Sequence, residues 1–336
     1  MTAELDVLAD AARTRILRIE QFDEQADGLL RAGGFDAVEL RSGCADFRGL
    51  APHAAAIRWL RCCEPQGLDG LELLTEVRRV TFTGSQAAWG FDYRRLARLR
   101  QLDADEAGDL QAEWLGHPQL QRLDLAGGRI KDLTPLAPAR SLAAARFLGC
   151  KMRSTNGVQG LTALRELRLL EARTLVDLSG LDQCSELQVL EISEAVKLAE
   201  LQPIVALRKL RWLFVDARAA QWPSLDWVAQ MPSIECLALW SPIQRVDLGL
   251  IAAHPRLYDV LLQVPAAAAL PTDEDIRAAF AGASRTVKQV HRYPKAKVPT
   301  FRLELSPPAG LAHVQPLPTH QQRLAWPHVA LGDGSP

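Results

Sequence analysis

From Leu120 the chain reads LQRLDLAGGRIKDLTPLAPARS, and the apolar spacing inside this stretch recurs along most of the sequence. Leu120, Leu123 and Leu125 give L-x-x-L-x-L, and Ile130, Leu133 and Leu136 follow as a second apolar strip. The first pattern returns at Leu142/Ala145/Phe147, Leu164/Leu167/Leu169, Leu187/Leu190/Ile192, Leu210/Leu213/Val215, Ile234/Leu237/Leu239 and Leu257/Val260/Leu262. Toward the N-terminus it is present at Leu99/Leu102/Ala104, Val77/Val80/Phe82, Ile57/Leu60/Cys62 and Phe35/Val38/Leu40. The result is about eleven units with a period of about 22 residues, the signature of a stacked repeat. A unit this short cannot bury its apolar face alone, so neighbouring units must share one continuous core.

Each x-L-x-L-x segment predicts a short strand whose alternate leucines point to one side. The later strip, such as Leu175/Leu178/Leu181 or Leu198/Leu201/Ile204, turns the chain back across the opposite side. With strands about 4.8 Å apart, eleven of them line a face on the order of 50 Å long.

Over residues 35–265 this pattern resembles the leucine-rich-repeat family, in the short-repeat class of internalin-type and phosphatase-regulator-type proteins. The resemblance implies an α/β leucine-rich-repeat solenoid, curved, with parallel strands on its concave face and a cap at each end. It also implies a binding role rather than catalysis. The family's asparagine position, three residues after the last strand leucine, holds Gly43, Pro65, Ser85, Ala107, Gly128, Cys150, Ala172 and Ala195. Without the side-chain amides, the turn N–H groups must find backbone or water partners.

Residues 1–34 are expected to form the N-terminal cap, with Leu5, Leu8 and Ala12 on a short helix and Ile16–Ile19 as an edge strand. The array then covers residues 35–271. Residues 272–305 form the C-terminal cap: Thr272 is a helix N-cap followed by three acids, and two alternating stretches over 286–293 and 300–305 read as strands. The proline-rich residues 306–336 read as a flexible tail.

A hydrophobic fraction of 48% is enough for a long core, and a net charge of −1 gives no electrostatic reason to expect nucleic acid or a membrane surface. The N-terminus is a poor secretory signal, and no run approaches the roughly 18 apolar residues of a membrane span. Abundant Leu, Ala and Arg with scarce Lys point to a GC-rich bacterial genome. The six cysteines (Cys44, Cys62, Cys63, Cys150, Cys184 and Cys236) form no CxxC and read as reduced thiols of a cytoplasmic protein.

No phosphate-binding loop, dinucleotide fingerprint, HExxH or GxSxG occurs, and no cofactor or metal is expected. His117 and His254 recur at one position of the repeat, each before proline, and read as structural loop residues. His53, His291, His313, His320 and His328 lack metal-ligand spacing. Cys63 points to the concave side, away from the core position of Cys62.

The expected function is a non-catalytic scaffold that binds a protein partner through its concave face and is monomeric when unbound. Toxin neutralisation, enzyme regulation and complex assembly all fit such a scaffold. The alternative is a bacterial effector acting on a host protein through the same surface. Two outward groups carry the expectation. In the early repeats Arg58, Trp59, Arg61 and Arg79 precede Asp103, Asp105, Glu106 and Asp124, a basic patch beside an acidic one. In the late repeats Arg211, Trp212, Phe214, Asp216, Trp240, Tyr258 and Leu261 form an aromatic patch, of the composition that dominates binding surfaces.

Overall fold

The computed structural model describes residues 3–7, 14–41, 43, 46–84, 91–105, 115–265, 269–294 and 299–307. The strands of the array are β3 (Ala37–Leu40), β4 (Trp59–Cys63), β5 (Arg79–Thr83), β6 (Gln101–Ala104), β7 (Arg122–Ala126), β8 (Ala144–Leu148), β9 (Glu166–Leu170), β10 (Val189–Ile192), β11 (Trp212–Val215), β12 (Cys236–Leu239) and β13 (Asp259–Gln263). Before them lie β1 (Ala3–Val7), β2 (Arg15–Ile19) and the helix α1 (Glu24–Ala32). Two short helices, α2 (Gln202–Val205) and α3 (Leu248–Ala253), sit inside the array, and α4 (Asp273–Phe280), β14 (Val287–Tyr293) and β15 (Thr300–Leu305) follow it.

Among the described residues fifteen strands form one open sheet. From β2 to β13 every neighbouring pair is parallel and in register, so Leu60, Val80, Leu102, Leu123, Ala145, Leu167, Leu190, Leu213, Leu237 and Val260 make one continuous inward row. All ten are buried. Burying a leucine is worth about 2 kcal/mol, and each member of the row is covered by the units on both sides. The second strip forms 3₁₀ turns on the far side, burying Leu71, Leu136, Val158 and Leu181 against the same core. The chain is a leucine-rich-repeat solenoid with its parallel strands on the concave face.

The turn amides are held by the backbone of the next unit. The N–H of Glu64 donates to the Thr83 carbonyl at 2.8 Å, and those of Ala172 and Ala195 donate to Ser193 and Asp216, each at 2.9 Å. At the asparagine position Cys150 contributes a weak bond of its own, its thiol lying 3.8 Å from the Leu125 carbonyl of the preceding unit. Burial pushes the thiols of Cys150 and Cys184 up to about 11 and that of Cys236 up to about 12.

The N-terminal end departs from expectation. Leu5 lies in a strand, β1, antiparallel to β2 and opposite Leu17, rather than in a helix. Ile16–Ile19 is therefore not the sheet edge. Leu8 and Ala12 lie outside the described residues. The helix forms later, at α1, where the Asp23 carboxylate accepts from the Ala26 N–H at 2.8 Å. At the other end the Thr272 hydroxyl and the Asp275 carboxylate cap α4 reciprocally. β15 pairs antiparallel with β13, and β14 pairs outside it. Of residues 306–336, read from sequence as a flexible tail, 308–336 lie outside the described residues.

Candidate partner-binding face

The parallel register turns outward positions into rows across the sheet. One row runs Arg18, Glu39, Arg61, Thr81, Asp103, Asp124, Arg146, Arg168, Glu191, Phe214, Ala238 and Leu261. Strands about 4.8 Å apart place successive members in side-chain contact, so the order of charges along the row decides what the face offers.

In the early repeats opposite charges meet and pair. Glu39 accepts from Arg18 at 3.0 Å and from Arg61 at 2.8 Å. Arg79 lies 2.9 Å from Asp103, and Arg146 lies 3.0 Å from Asp124. The Arg79 guanidinium also sits 3.9 Å over the Trp59 ring, whose indole N–H donates to the Thr81 hydroxyl. A basic patch beside an acidic one is therefore not formed, because cross-strand pairing neutralises both within the sheet. Asp105 is exposed one residue beyond β6, Arg58 is exposed just before β4, and Glu106 lies outside the described residues.

The late group is together in space but unevenly exposed. The rings of Trp212 and Phe214 stack at 6.5 Å, and Trp240 meets Phe214 edge-on at 5.9 Å. Trp212, Trp240 and Leu261 are half-buried. Phe214 is 1% exposed, and Tyr258 and Asp216 are buried too, against the expectation that all seven stand clear of the core. Alternation points these side chains away from the leucine row, but the two tryptophans flank Phe214 and enclose it. Arg211 is bound through two 2.9 Å bonds to the buried Glu235, which also accepts from Arg256. Hydrogen bonding to Glu235 raises the Arg211 pKa further. The C-terminal segment does not cover the patch among the described residues, since β15 extends the sheet and α4 packs on α3.

Beside Phe214 and Trp240 lies a cleft of about 420 Å³, at the ends of β8–β11 and the turns that follow β9 and β10. Leu148 and Leu170 add apolar surface, and Glu171, Glu191, Glu194 and Asp216 add carboxylates. The three glutamates were not singled out from sequence. The one available signal is that Glu171 and Glu194 stand where other units have a turn glycine. Between Glu191 and Glu166 the buried Arg168 is gripped at 2.8 and 2.5 Å, and its guanidinium lies 5.5 Å over the Trp212 ring.

His117 and His254 are wall-to-wall links between units. The Nε2–H of His117 donates to the Leu96 carbonyl at 3.0 Å while Nδ1 accepts from the Gln119 N–H. The ring of His254 does the same with Met231 and Leu257. Among the described residues no three His, Cys, Asp or Glu side chains gather as a metal site. No described helix is long and apolar enough to cross a membrane.

No family model and no curated protein matches this sequence. Among solved structures the chain is similar to an internalin from Listeria monocytogenes, with 16% identity, 76% of this chain and 86% of that chain covered, and a TM-score of 0.44. A leucine-rich-repeat protein from Leptospira interrogans shows 14% identity, coverage of 73% and 83%, and a TM-score of 0.35. The leucine-rich-repeat ectodomain of a plant membrane receptor kinase from Arabidopsis thaliana shows 12% identity, coverage of 68% and 34%, and a TM-score of 0.37. The fold stands on this chain's own repeat and strand register, not on these distant similarities.

Proposed function

We propose that this protein is a non-catalytic scaffold that binds a protein partner on the late-repeat part of its concave face. The observation that carries the reading is the juxtaposition of two half-buried tryptophans, Trp212 and Trp240, with an open cleft on the sheet face. Partly exposed tryptophans set beside a recess are the anchor points of protein interfaces. The array of residues 35–271 supplies the rigid frame, with 1–34 and 272–305 as its caps. The early repeats, with Trp59, Arg61, Arg79, Asp103 and Asp124 already engaged by cross-strand neighbours, serve as frame more than as contact surface, and Asp105 lies at their rim. The five cysteines among the described residues are free thiols, which fits a cytoplasmic scaffold, and Cys44 lies outside the described residues. Its task is to neutralise, regulate or assemble the protein it holds.

The test is capture from native lysate by the tagged chain and by Trp212→Ala/Trp240→Ala. A protein retained by the unaltered chain should lose about 2 kcal/mol or more of affinity for the variant, while the variant keeps its circular-dichroism spectrum. A folded variant that binds the same protein with unchanged affinity overturns the reading.

A further inference from the structure

The cleft beside Trp240 has a lining that selects for one kind of group. Its apolar part is Leu148, Leu170, Val196 and Phe214, and Trp240 adds an aromatic wall. Its polar part is four carboxylates with Ser193 and Arg218. Glu191 is 3% exposed and Asp216 is 6% exposed, and Glu171 and Glu194 stand above them with their side chains about half covered. Three guanidiniums lie close: Arg168 holds Glu191, Arg173 lies 2.7 Å from Glu194 and 3.6 Å from Glu171, and Arg218 lies 3.8 Å from Asp216. Of the three only Arg218 lines the cleft. The recess thus faces its occupant with four carboxylates, one guanidinium and an aromatic wall.

The four acids outnumber the three arginines that pair with them, so the recess keeps a negative excess that disfavours an anion and is left uncompensated by a neutral apolar group. A cation gains on both counts: attraction to the carboxylates and to the negative face of the indole. A planar guanidinium suits the place better than an ammonium, since it stacks on a ring and presents a fork of N–H donors to carboxylates at the same time. The volume, about 420 Å³, has room for one long side chain with the peptide that carries it.

We infer that this cleft seats an arginine side chain from an exposed segment of the partner protein. The inference rests on the concave-face reading above and adds the chemistry of the occupant. The probe is N-acetyl-arginine methylamide, titrated into the full chain and followed at the indole ¹H–¹⁵N signal of Trp240, which Trp240→Phe identifies by its loss. A saturable shift with a dissociation constant on the order of 1 mM is expected, as befits so small a ligand. The neutral citrulline analogue should bind at least about tenfold more weakly, because it keeps the shape and loses the charge. Glu171→Gln/Glu194→Gln changes two half-exposed side chains, leaves the fold intact, and should weaken arginine binding by about fivefold. Asp216→Asn is a second variant with the same expected direction. Citrulline binding as tight as arginine, a lysine analogue binding more tightly than arginine, a folded double variant that binds like the unaltered chain, or no saturable shift at Trp240 would each overturn the inference. Loss of partner binding in Trp212→Ala/Trp240→Ala without any arginine response removes this inference alone. An arginine response with unchanged partner affinity in that variant removes the concave-face reading and leaves the cleft's chemistry standing.

Discussion

Glu64, Glu171 and Glu194 adopt left-handed backbone angles, with φ of 48°, 50° and 53°. At the matching turn position other units place Gly84, Gly127 and Gly149, all with positive φ. A side chain in that conformation costs roughly 1–2 kcal/mol, part of which glycine forfeits again through its freer unfolded chain. Glu64→Gly should therefore raise unfolding free energy by about 0.5–1 kcal/mol in a urea melt; a lower midpoint would mean that the Glu64 side chain holds the turn. Gly157 shows the opposite constraint. Its φ is +94°, and an added Cβ would lie 2.2 Å from the Thr134 backbone nitrogen, so Gly157→Ala should cost about 3 kcal/mol or more. A melt within 1 kcal/mol of the parent (a rough bound for a harmless surface change) would show that the unit shifts freely. Arg168 is a third fixed point. Removing its guanidinium leaves two buried carboxylates, Glu166 and Glu191, facing each other, so Arg168→Met should cost about 3–5 kcal/mol in the same melt. An unchanged midpoint would contradict the ion-pair geometry. At this scale the sequence revealed direction but not cover. Alternation placed Phe214 on the outward side, and only the ring contacts showed that Trp212 and Trp240 flank it.

The His-Pro turns are elements whose stability depends on pH in a defined window. Burial lowers the pKa of His117 and of His254 below 6.5, and each ring is neutral, donating from Nε2 and accepting at Nδ1. The unfolded imidazole takes a proton near pH 6.5, and the folded one resists until lower pH. Their contribution is thus fully present above pH 6.5 and is lost as pH falls through the folded values. Asp36, Asp92, Asp177 and Asp275, held low by hydrogen bonds to Arg15, Arg94, Ser179 and Thr272, act in a separate, more acidic window below 3.8. Thermal melts from pH 7.5 to 5 should show a decline that His117→Gln/His254→Gln flattens; an identical decline in the variant would assign it to other groups. The recurrence of HP before a repeat start made this element legible in sequence, as the Thr272 N-cap and the acids after it did for α4. The N-terminal cap was not legible. Apolar spacing at Leu5, Leu8 and Ala12 fits a helix in isolation, and at Leu5 pairing of β1 with β2 overrides it. The true helix, α1, is signalled by Asp23 before it, Glu24 and Asp27 in its first turn, Arg31 in its last and Gly33 after it, none of which the apolar spacing brings out.

Across the whole molecule the leucine rows could be read directly because every unit repeats the same burial problem. The function could not, because the outward rows repeat nothing. Their character comes from which residues fall side by side, as when Glu191, Phe214 and Ala238 line up on β10–β12. The central claim is that a partner lies on the late concave face, and hydrogen–deuterium exchange of the chain with and without its captured partner tests it most directly. Slowed exchange should map to β9–β12 and the turns over 171–174 and 193–197, with the far-side turns at Leu136, Val158 and Leu181 exchanging as in the free chain. Protection confined to those far-side turns, or to β4–β6, would contradict the account.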